Sequence, residues 1–246
     1  MKKVIKTNST ICILGGMGPQ ASARLLTLIV EKASVDLHLP CEDFPEIIVD
    51  SVPVPDFVSN LKNKEVALSM LRKRVKKLNV FHPDIFCISC NTAHLFLNDL
   101  QACTKSPFVS LISAITNEVE KRKIIKVGIM ATPVTIKTGL YQKSLSKVGI
   151  EAIVPNNQEL RKIELIIRNT LGCKASIHDP NILLGVADSL KAQGAGGIIL
   201  GCTELPLIFP ENFDLPVFDS LAILSDVLLE RTFRKETSGR KIKIFR

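Results

Sequence analysis

Hydrophobic and polar positions follow two kinds of pattern along the chain. Short, unbroken apolar runs predict buried strands, and longer stretches with apolar residues every three or four positions predict helices that pack on them. The predicted strands cover about 10–14, 46–51, 84–89, 107–110, 125–130, 151–154, 197–201 and 216–218. The predicted helices cover about 19–34, 63–79, 92–101, 113–121, 135–148, 158–170, 180–193, 203–209 and 220–233. This alternation predicts an α/β fold with mostly parallel sheets covered on both faces.

The helix predicted over 63–79 clearly has apolar residues every three or four positions. A face of lysine and arginine lies opposite its apolar stripe, which comprises Val66, Met70, Leu71, Val75 and Leu78. The helix over 180–193 follows Asp179-Pro180, a capping residue before a proline suited to the first turn. Both helices are therefore expected to lie on a sheet with their polar faces outward.

Three landmarks recur in the two halves of the chain. The paired positions lie 115, 112 and 109 residues apart: Gly15 with Met130, Cys90 with Cys202, and Pro107 with Pro216. Any two Rossmann-like halves share some order of strands, loops and helices, but the nearly constant spacing between the paired positions favours a duplicated α/β unit. We predict two pseudo-symmetric Rossmann-like domains with an active site in the cleft between them. The first covers 1–112 plus a returning C-terminal helix over 218–234, and the second covers 113–217.

Composition narrows the class of protein. The chain has 246 residues, 46% hydrophobic and 23% charged, which is ordinary for a soluble globular protein. The apolar runs are too short to cross a membrane, and the lysine-containing N-terminus has no apolar core of a signal peptide. Seven cysteines, an odd number scattered in apolar runs, indicate reduced thiols and hence a cytoplasmic protein.

The formal net charge of +8 is concentrated in three basic stretches, at 72–77, 121–126 and 231–246. Basic charge can indicate a nucleic-acid partner, but aromatic residues make up only 5% and no nucleic-acid motif accompanies the charge. Solvated helix faces and a basic tail are the favoured interpretation, with a weak bias towards a small anionic substrate. Neither a nucleic acid nor a membrane is predicted as a partner.

Two cysteines stand at matching points of the two halves. Cys90 in ISCNTAH and Cys202 in LGCTELP each follow a strand-like run and precede a helical pattern. Backbone N–H groups and the helix dipole at such a point can hold a thiol as thiolate. Two thiols that face each other across a cleft would suit a reaction that removes a proton from one face of a carbon and returns one to the other.

The remaining cysteines predict neither a redox pair nor a metal site. Cys87 and Cys90 form a C-x-x-C, but Cys87 lies inside the strand-like run and is interpreted as core. Zinc would need a second pair of ligands at fixed spacing, which the sequence does not offer. No metal and no cofactor are predicted.

The loop Gly15-Gly16-Met17-Gly18-Pro19 follows the first strand and fits neither G-x-G-x-x-G nor a Walker motif. Its backbone N–H groups at Gly16 and Met17 are expected to meet a carboxylate or amide, and a purely structural turn is the alternative. Thr132 and Thr135 flank the corresponding loop of the second half, where a substrate carboxylate would find hydroxyl and amide donors.

Two ionisable neighbours of the cysteines have open roles. His94, four residues after Cys90, either tunes the thiol or forms part of the cleft wall. Glu204, two residues after Cys202, binds a substrate ammonium, influences thiol ionisation or stabilises the helix start.

Four motifs carry a resemblance that covers residues 15 to 208: GGMGPQAS, CNTAH, ATPVTIKTGLY and GCTELPLI. In this order they resemble the aspartate/glutamate racemase family, and most of all its aspartate racemase branch. The resemblance implies a two-base mechanism at the interface of two domains, without pyridoxal phosphate or metal. It implies that Cys90 and Cys202 hold the acid–base positions, and that Asn91, Thr92, Thr132 and Thr203 bind substrate.

The chain departs from the family where aspartate racemases often carry proline–aspartate–arginine–threonine, whose arginine grips the distal carboxylate. Here the sequence is Pro55-Asp56-Phe57-Val58, and phenylalanine cannot form a bidentate ion pair. A lysine that the family carries in the second half is not obvious here, and Arg161, Lys162 and Arg168 are its candidate replacements. These departures leave open a looser or different amino-acid substrate.

The sequence thus predicts a cofactor-independent amino-acid racemase, with aspartate or glutamate as substrate and a two-cysteine acid–base mechanism. The alternatives are an isomerase or decarboxylase of the same fold, or a non-catalytic amino-acid-binding protein. A homodimer is the default assembly for such folds.

Overall fold

The computed structural model describes residues 9–57 and 60–233. They form two four-stranded sheets in which every pairing is parallel. The first contains β1 (Thr10–Gly15), β2 (Glu46–Ser51), β3 (Ile85–Ile88) and β4 (Phe108–Val109), and the second β5 (Lys126–Ala131), β6 (Glu151–Ile153), β7 (Ile198–Gly201) and β8 (Val217–Asp219). Their orders, β2-β1-β3-β4 and β6-β5-β7-β8, are the same, so the predicted α/β fold with two similar halves is confirmed.

Helices connect the strands on both faces of each sheet. They are α1 (Pro19–Val35), α2 (Lys64–Leu78), α3 (Leu97–Gln101), α4 (Leu111–Lys121), α5 (Pro133–Thr138), α6 (Leu140–Ser146), α7 (Asn157–Leu171), α8 (Asp179–Ala192) and α9 (Ser220–Thr232). Local sequence sets several starts: Pro19 opens α1, and Asn156 and Glu159 form a capping box for α7. Within the described ranges, no helix is both long and apolar enough to cross a membrane.

Three predicted helices differ in detail from the structure. The helix predicted over 135–148 is two helices, α5 and α6, because Gly139 between them adopts the left-handed conformation at φ 68°. The stretch 92–101 begins as a 3-10 helix over Thr92–Phe96, and 203–209 contains only the 3-10 turn Leu205–Leu207. In α2, Val66 is exposed although the predicted stripe included it.

The strands divide their side chains between a shared core and two outer cores. Ile11 and Ile13 of β1 point into the same cluster as Val127 and Ile129 of β5, and this cluster contains the inner faces of α1, α4 and α9. Cys12 and Leu14 point the other way, into a core under α2, while the corresponding outer core of the second half lies under α7 and α8. Successive side chains of a strand point to opposite faces of its sheet, so one face of each sheet contributes to a single apolar layer that joins the two halves.

Helix α9 lies in this shared layer. Asp219 caps its N-terminus by accepting hydrogen bonds from the backbone N–H groups of Leu221 and Ala222. Asp219 also pairs with Arg24 of α1, and Lys32 of α1 donates to the carbonyl oxygen of Ala222 at 2.7 Å. The last helix therefore packs on the first helix of the chain, while the domain limits at 112 and 217 stay a prediction.

Candidate active site

Cys90 and Cys202 lie at the carboxyl ends of β3 and β7, the equivalent strands of the two sheets. Each side chain is 6% exposed. The two thiols are near enough for a negative charge on Cys90 to raise the pKa of Cys202. The two halves therefore bring these side chains, which are 112 residues apart in sequence, to one site.

Burial of both thiols opposes the thiolate that backbone N–H groups and the helix dipole can stabilise at these points. The pKa of Cys90 is raised to about 12, mainly by burial and also by the charge of Glu204, although the backbone N–H groups of Ala93 and Thr92 lower it. Burial also raises the pKa of Cys202 well above its usual value, as do the charge and the hydrogen bond of Glu204. The backbone donors that the sequence predicted are present, but loss of solvent outweighs them.

Glu204 is the polar partner of Cys202. The Cys202 thiol donates to Glu204 Oε2 at 2.9 Å, and the Thr203 hydroxyl donates to the same oxygen at 3.0 Å. Glu204 is 4% exposed, and its other carboxylate oxygen faces the glycine loop of the first half. A Cβ atom on Gly18 would lie only 2.5 Å from Glu204 Oε1, and Gly18 has φ 154°, so this close approach requires glycine.

Three threonine hydroxyls connect the two halves near Cys90. Oγ1 of Thr92, which follows Cys90 by two residues, lies 3.2 Å from Thr132 Oγ1 and 2.9 Å from Thr135 Oγ1. Thr132 caps α5 by accepting the backbone N–H of Thr135 at 3.2 Å. All three are buried, so the predicted substrate-binding residues Thr92 and Thr132 do lie together.

Asn91 is held by two residues that sequence reasoning did not select. The Tyr141 hydroxyl donates to Asn91 Oδ1, and Asn91 Nδ2 donates to Ser220 Oγ at 3.2 Å. Tyr141 of α6 is fully buried, and its ring lies so close to Gly201 that a Cβ there would be 2.9 Å from Tyr141 Cε2. Tyr141 is the only tyrosine of the chain and ends the third motif, which is the one signal that could have identified it.

His94 links the start of the 3-10 helix after Cys90 to α4 by two hydrogen bonds. Its Nε2 accepts the backbone N–H of Leu111 at 3.0 Å, so Nδ1 carries the proton and donates to the carbonyl oxygen of Cys90 at 2.9 Å. Burial lowers the pKa of His94 to about 4. Both ring nitrogens thus contact backbone, which supports a structural role in the wall of the cleft.

We expect His94 to make the protein less stable in mild acid. Between pH 6.5 and about 4 the unfolded chain binds a proton at this residue that the folded protein does not, so the free energy of unfolding falls as the pH drops. The full loss is about 3 kcal/mol, and above pH 6.5 this contribution vanishes. Urea unfolding from pH 7.5 to 4.5 should show a shallower pH slope for His94→Gln than for the exposed-histidine control His178→Gln. Equal slopes would contradict the assignment.

A cavity of about 290 Å³ opens beside this site, between the glycine loop and α7. Its wall includes Gly16 and Met17, both predicted to bind substrate, and also Thr132. Phe57 is fully buried at the cavity, with its ring centroid 5.3 Å from that of Phe96. Val58, the next residue of that motif, lies outside the described residues.

Of the candidate replacement cations, Arg168 lines this cavity, whereas Arg161 and Lys162 are exposed elsewhere on α7. Arg168 donates to Glu164 Oε1 at 3.2 Å and lies 3.9 Å from Asp56 Oδ2. The cavity thus combines an apolar wall with one arginine between two carboxylates. Within residues 9–57 and 60–233, no group of three or more His, Cys, Asp or Glu side chains is arranged to hold a metal ion.

Comparison with known proteins agrees with this architecture. Residues 14–227 match the Asp/Glu/hydantoin racemase family. An aspartate racemase homologue from Pyrococcus horikoshii is 29% identical with a TM-score of 0.77, over 91% of this chain and 99% of that one. The aspartate racemase of Picrophilus torridus, 22% identical over 93% of this chain and 96% of its own, shares the fold with a TM-score of 0.78.

Among curated proteins, the broad specificity amino-acid racemase of Bacillus subtilis is 24% identical over 87% of this chain and 94% of its own length. The match to the family covers the glycine loop, both cysteine motifs and most of α9. The chain belongs to the Asp/Glu/hydantoin racemase family.

Proposed function

We propose that this protein is a cofactor-independent amino-acid racemase in which Cys90 and Cys202 are the two acid–base groups. The observation that carries the proposal is the pair of buried thiols at the ends of equivalent strands, β3 and β7, close enough for the charge of Cys90 to raise the pKa of Cys202. Two groups on opposite sides of one site can serve the two faces of an α-carbon.

The proposed reaction has two proton transfers. One cysteine, as thiolate, takes the α-proton, so that the Cα–H bond breaks and an S–H bond forms. The other cysteine, as thiol, donates its proton to the opposite face and becomes the thiolate. The roles reverse for the other enantiomer, and exchange with solvent resets the pair.

The α-proton is very weakly acidic, so the site must stabilise the carbanion-like transition state. We assign this to donors around the α-carboxylate: the N–H group of Met17 and the hydroxyls of Thr92 and Thr132. These groups belong to both halves, and the two threonines are buried, which strengthens their effect on developing charge. The N–H group of Gly16, also predicted to bind substrate, already donates to Ser22 Oγ at 3.1 Å and serves the turn instead. Asn91 Nδ2 supplies a further N–H, and Tyr141 fixes the orientation of that amide.

Thiolate formation is assigned to Glu204 and the substrate. The Cys202 thiol already donates to Glu204, which makes this carboxylate the nearest acceptor for its proton. A substrate ammonium beside Glu204 would then oppose the negative charge that raises the pKa of both thiols. In this step the S–H bond of Cys202 breaks and an O–H bond forms on Glu204, whose other oxygen then accepts a hydrogen bond from the substrate ammonium. These are two of the three roles left open by the sequence.

The motif resemblance points to aspartate or glutamate as one substrate class to test. In that case a cation must hold the distal carboxylate. Phe57 cannot, and Arg168 is the candidate that lines the cavity beside the glycine loop. A homodimer stays a prediction, which sedimentation velocity would test.

Proton exchange tests the function most simply. Each enantiomer of a panel of amino acids is incubated in deuterated water, and loss of the α-proton is followed by NMR together with chiral chromatography. We expect exchange and racemisation without added pyridoxal phosphate or metal. Enantiomers have equal free energy in water, so kcat/KM must be the same in both directions. Decarboxylation, or binding without exchange, would support one of the two alternative functions instead.

A further inference from the structure

The cavity beside the glycine loop is connected to each thiol by a short chain of contacts, although neither cysteine lines it. Gly18, in its wall, faces Glu204, and Glu204 accepts the Cys202 thiol proton. Thr132, also in its wall, contacts Thr92, whose backbone N–H faces Cys90. A substrate held by the glycine loop with its α-carbon between the thiols would extend its side chain into this cavity.

Much of the cavity wall is apolar. Its apolar side chains include Met17, Val54, Phe57, Ile167 and Leu171, and the volume is about 290 Å³. Aspartate would place only a methylene and a carboxylate there. A longer aliphatic side chain would bury more of this surface, and each buried methylene raises affinity about fourfold.

The charges at the rim are unfavourable for a carboxylate. Asp56 and Glu164 flank Arg168, so the charged side chains in the wall sum to one negative charge among the described residues. A distal carboxylate would have to compete with both for Arg168, and it would otherwise meet an apolar surface that penalises an unpaired charge. A neutral end carries no charge to desolvate, and a cationic end has Asp56 and Glu164 as partners at the rim.

We infer that the substrates are amino acids with a long, aliphatic side chain that ends in a neutral or cationic group, rather than aspartate or glutamate. The inference rests on the proposed racemase function and on the assignment of this cavity to the side chain. It identifies Glu164, Asp56 and Phe57 as residues that set specificity.

Glutamine and glutamate have the same shape, and their comparison isolates the distal charge. We expect kcat/KM for α-proton exchange to be about tenfold higher for glutamine, because the glutamate carboxylate would have to compete with Asp56 and Glu164 for Arg168. Lysine and methionine should be better substrates than aspartate and asparagine. Glutamate equal to or faster than glutamine, or aspartate faster than lysine, would overturn the inference.

Two variants on α7 test the assignment to this cavity. Arg168→Gln should raise the glutamine-to-glutamate ratio further, while Glu164→Gln should lower it because Arg168 then has one competitor fewer. Arg161→Gln, an exposed arginine of the same helix outside the cavity, is the matched control and should leave the ratio unchanged. Ratios that do not respond to either cavity variant would contradict the assignment.

Binding measurements distinguish failure of the proposed racemase function from failure of the inferred substrate class. Calorimetric titration with glutamine, glutamate, lysine and aspartate measures selectivity without turnover. Tighter binding of glutamine and lysine with no exchange of any amino acid would refute the racemase function and support the substrate class. Exchange with tighter binding of glutamate and aspartate would refute the substrate class and support the function.

Discussion

Replacing either Cys90 or Cys202 by alanine is expected to reduce racemisation by about 10³-fold, because each thiol serves one face of the α-carbon and neither has a substitute. Both variants should still exchange the α-proton of one enantiomer with solvent, and the enantiomer should differ between them. Chiral chromatography measures the first effect, and NMR in deuterated water measures the second.

Other cysteines of the chain are the controls. Cys87 is equally buried but lies inside β3, and Cys41 is exposed. Cys87→Ala and Cys41→Ala should keep racemase activity near that of the unmodified protein. Full activity of Cys90→Ala or Cys202→Ala would refute the two-base assignment.

The second large effect concerns Glu204. Glu204→Gln removes the proton acceptor of the Cys202 thiol, and we expect kcat to fall by about 10²-fold, the lower range for a positioned acid–base group. The same change removes the charge that, after burial, raises the pKa of Cys202 most. Alkylation of Cys202 by iodoacetamide at pH 8 should therefore become faster while turnover becomes slower.

These opposite changes distinguish a role in proton transfer from a structural one. A loosened site would speed alkylation of Cys90 and Cys202 alike, which peptide mass spectrometry would reveal. Glu211→Gln, at an exposed position outside the site, is the control and should alter neither rate. Unchanged turnover in Glu204→Gln would show that Cys202 loses its proton without this carboxylate, and it would refute the role assigned to Glu204.

Much of the architecture could be predicted because it depends on local patterns. Continuous apolar runs such as 85–88 and 198–201 are buried on both faces of their strands, and they are β3 and β7 in the structure. The matching positions of Cys90 and Cys202 then placed two thiols at the same edge of two similar sheets. Gly139 shows the limit, since its left-handed conformation divides a continuous helical pattern into α5 and α6.

The electrostatic state of the site could not be predicted in this way. Backbone donors near Cys90 are a local feature, but the burial that raises its pKa depends on how the two halves close around it. The contact of Tyr141 with Asn91 likewise joins residues 50 positions apart, and no periodic pattern encodes it. Phe57 was noted as a departure in sequence, while its packing on Phe96 and the apolar cavity beside it required the structure.

The isotope content of the product at early times tests the central claim most directly. An L-amino acid substrate is incubated in deuterated water and stopped after a small fraction has reacted. With two opposed cysteines, the D-enantiomer should carry deuterium at the α-carbon, while the remaining L-enantiomer should still carry hydrogen. A D-enantiomer that keeps the original hydrogen would show that one group moves the proton between faces and would contradict the account.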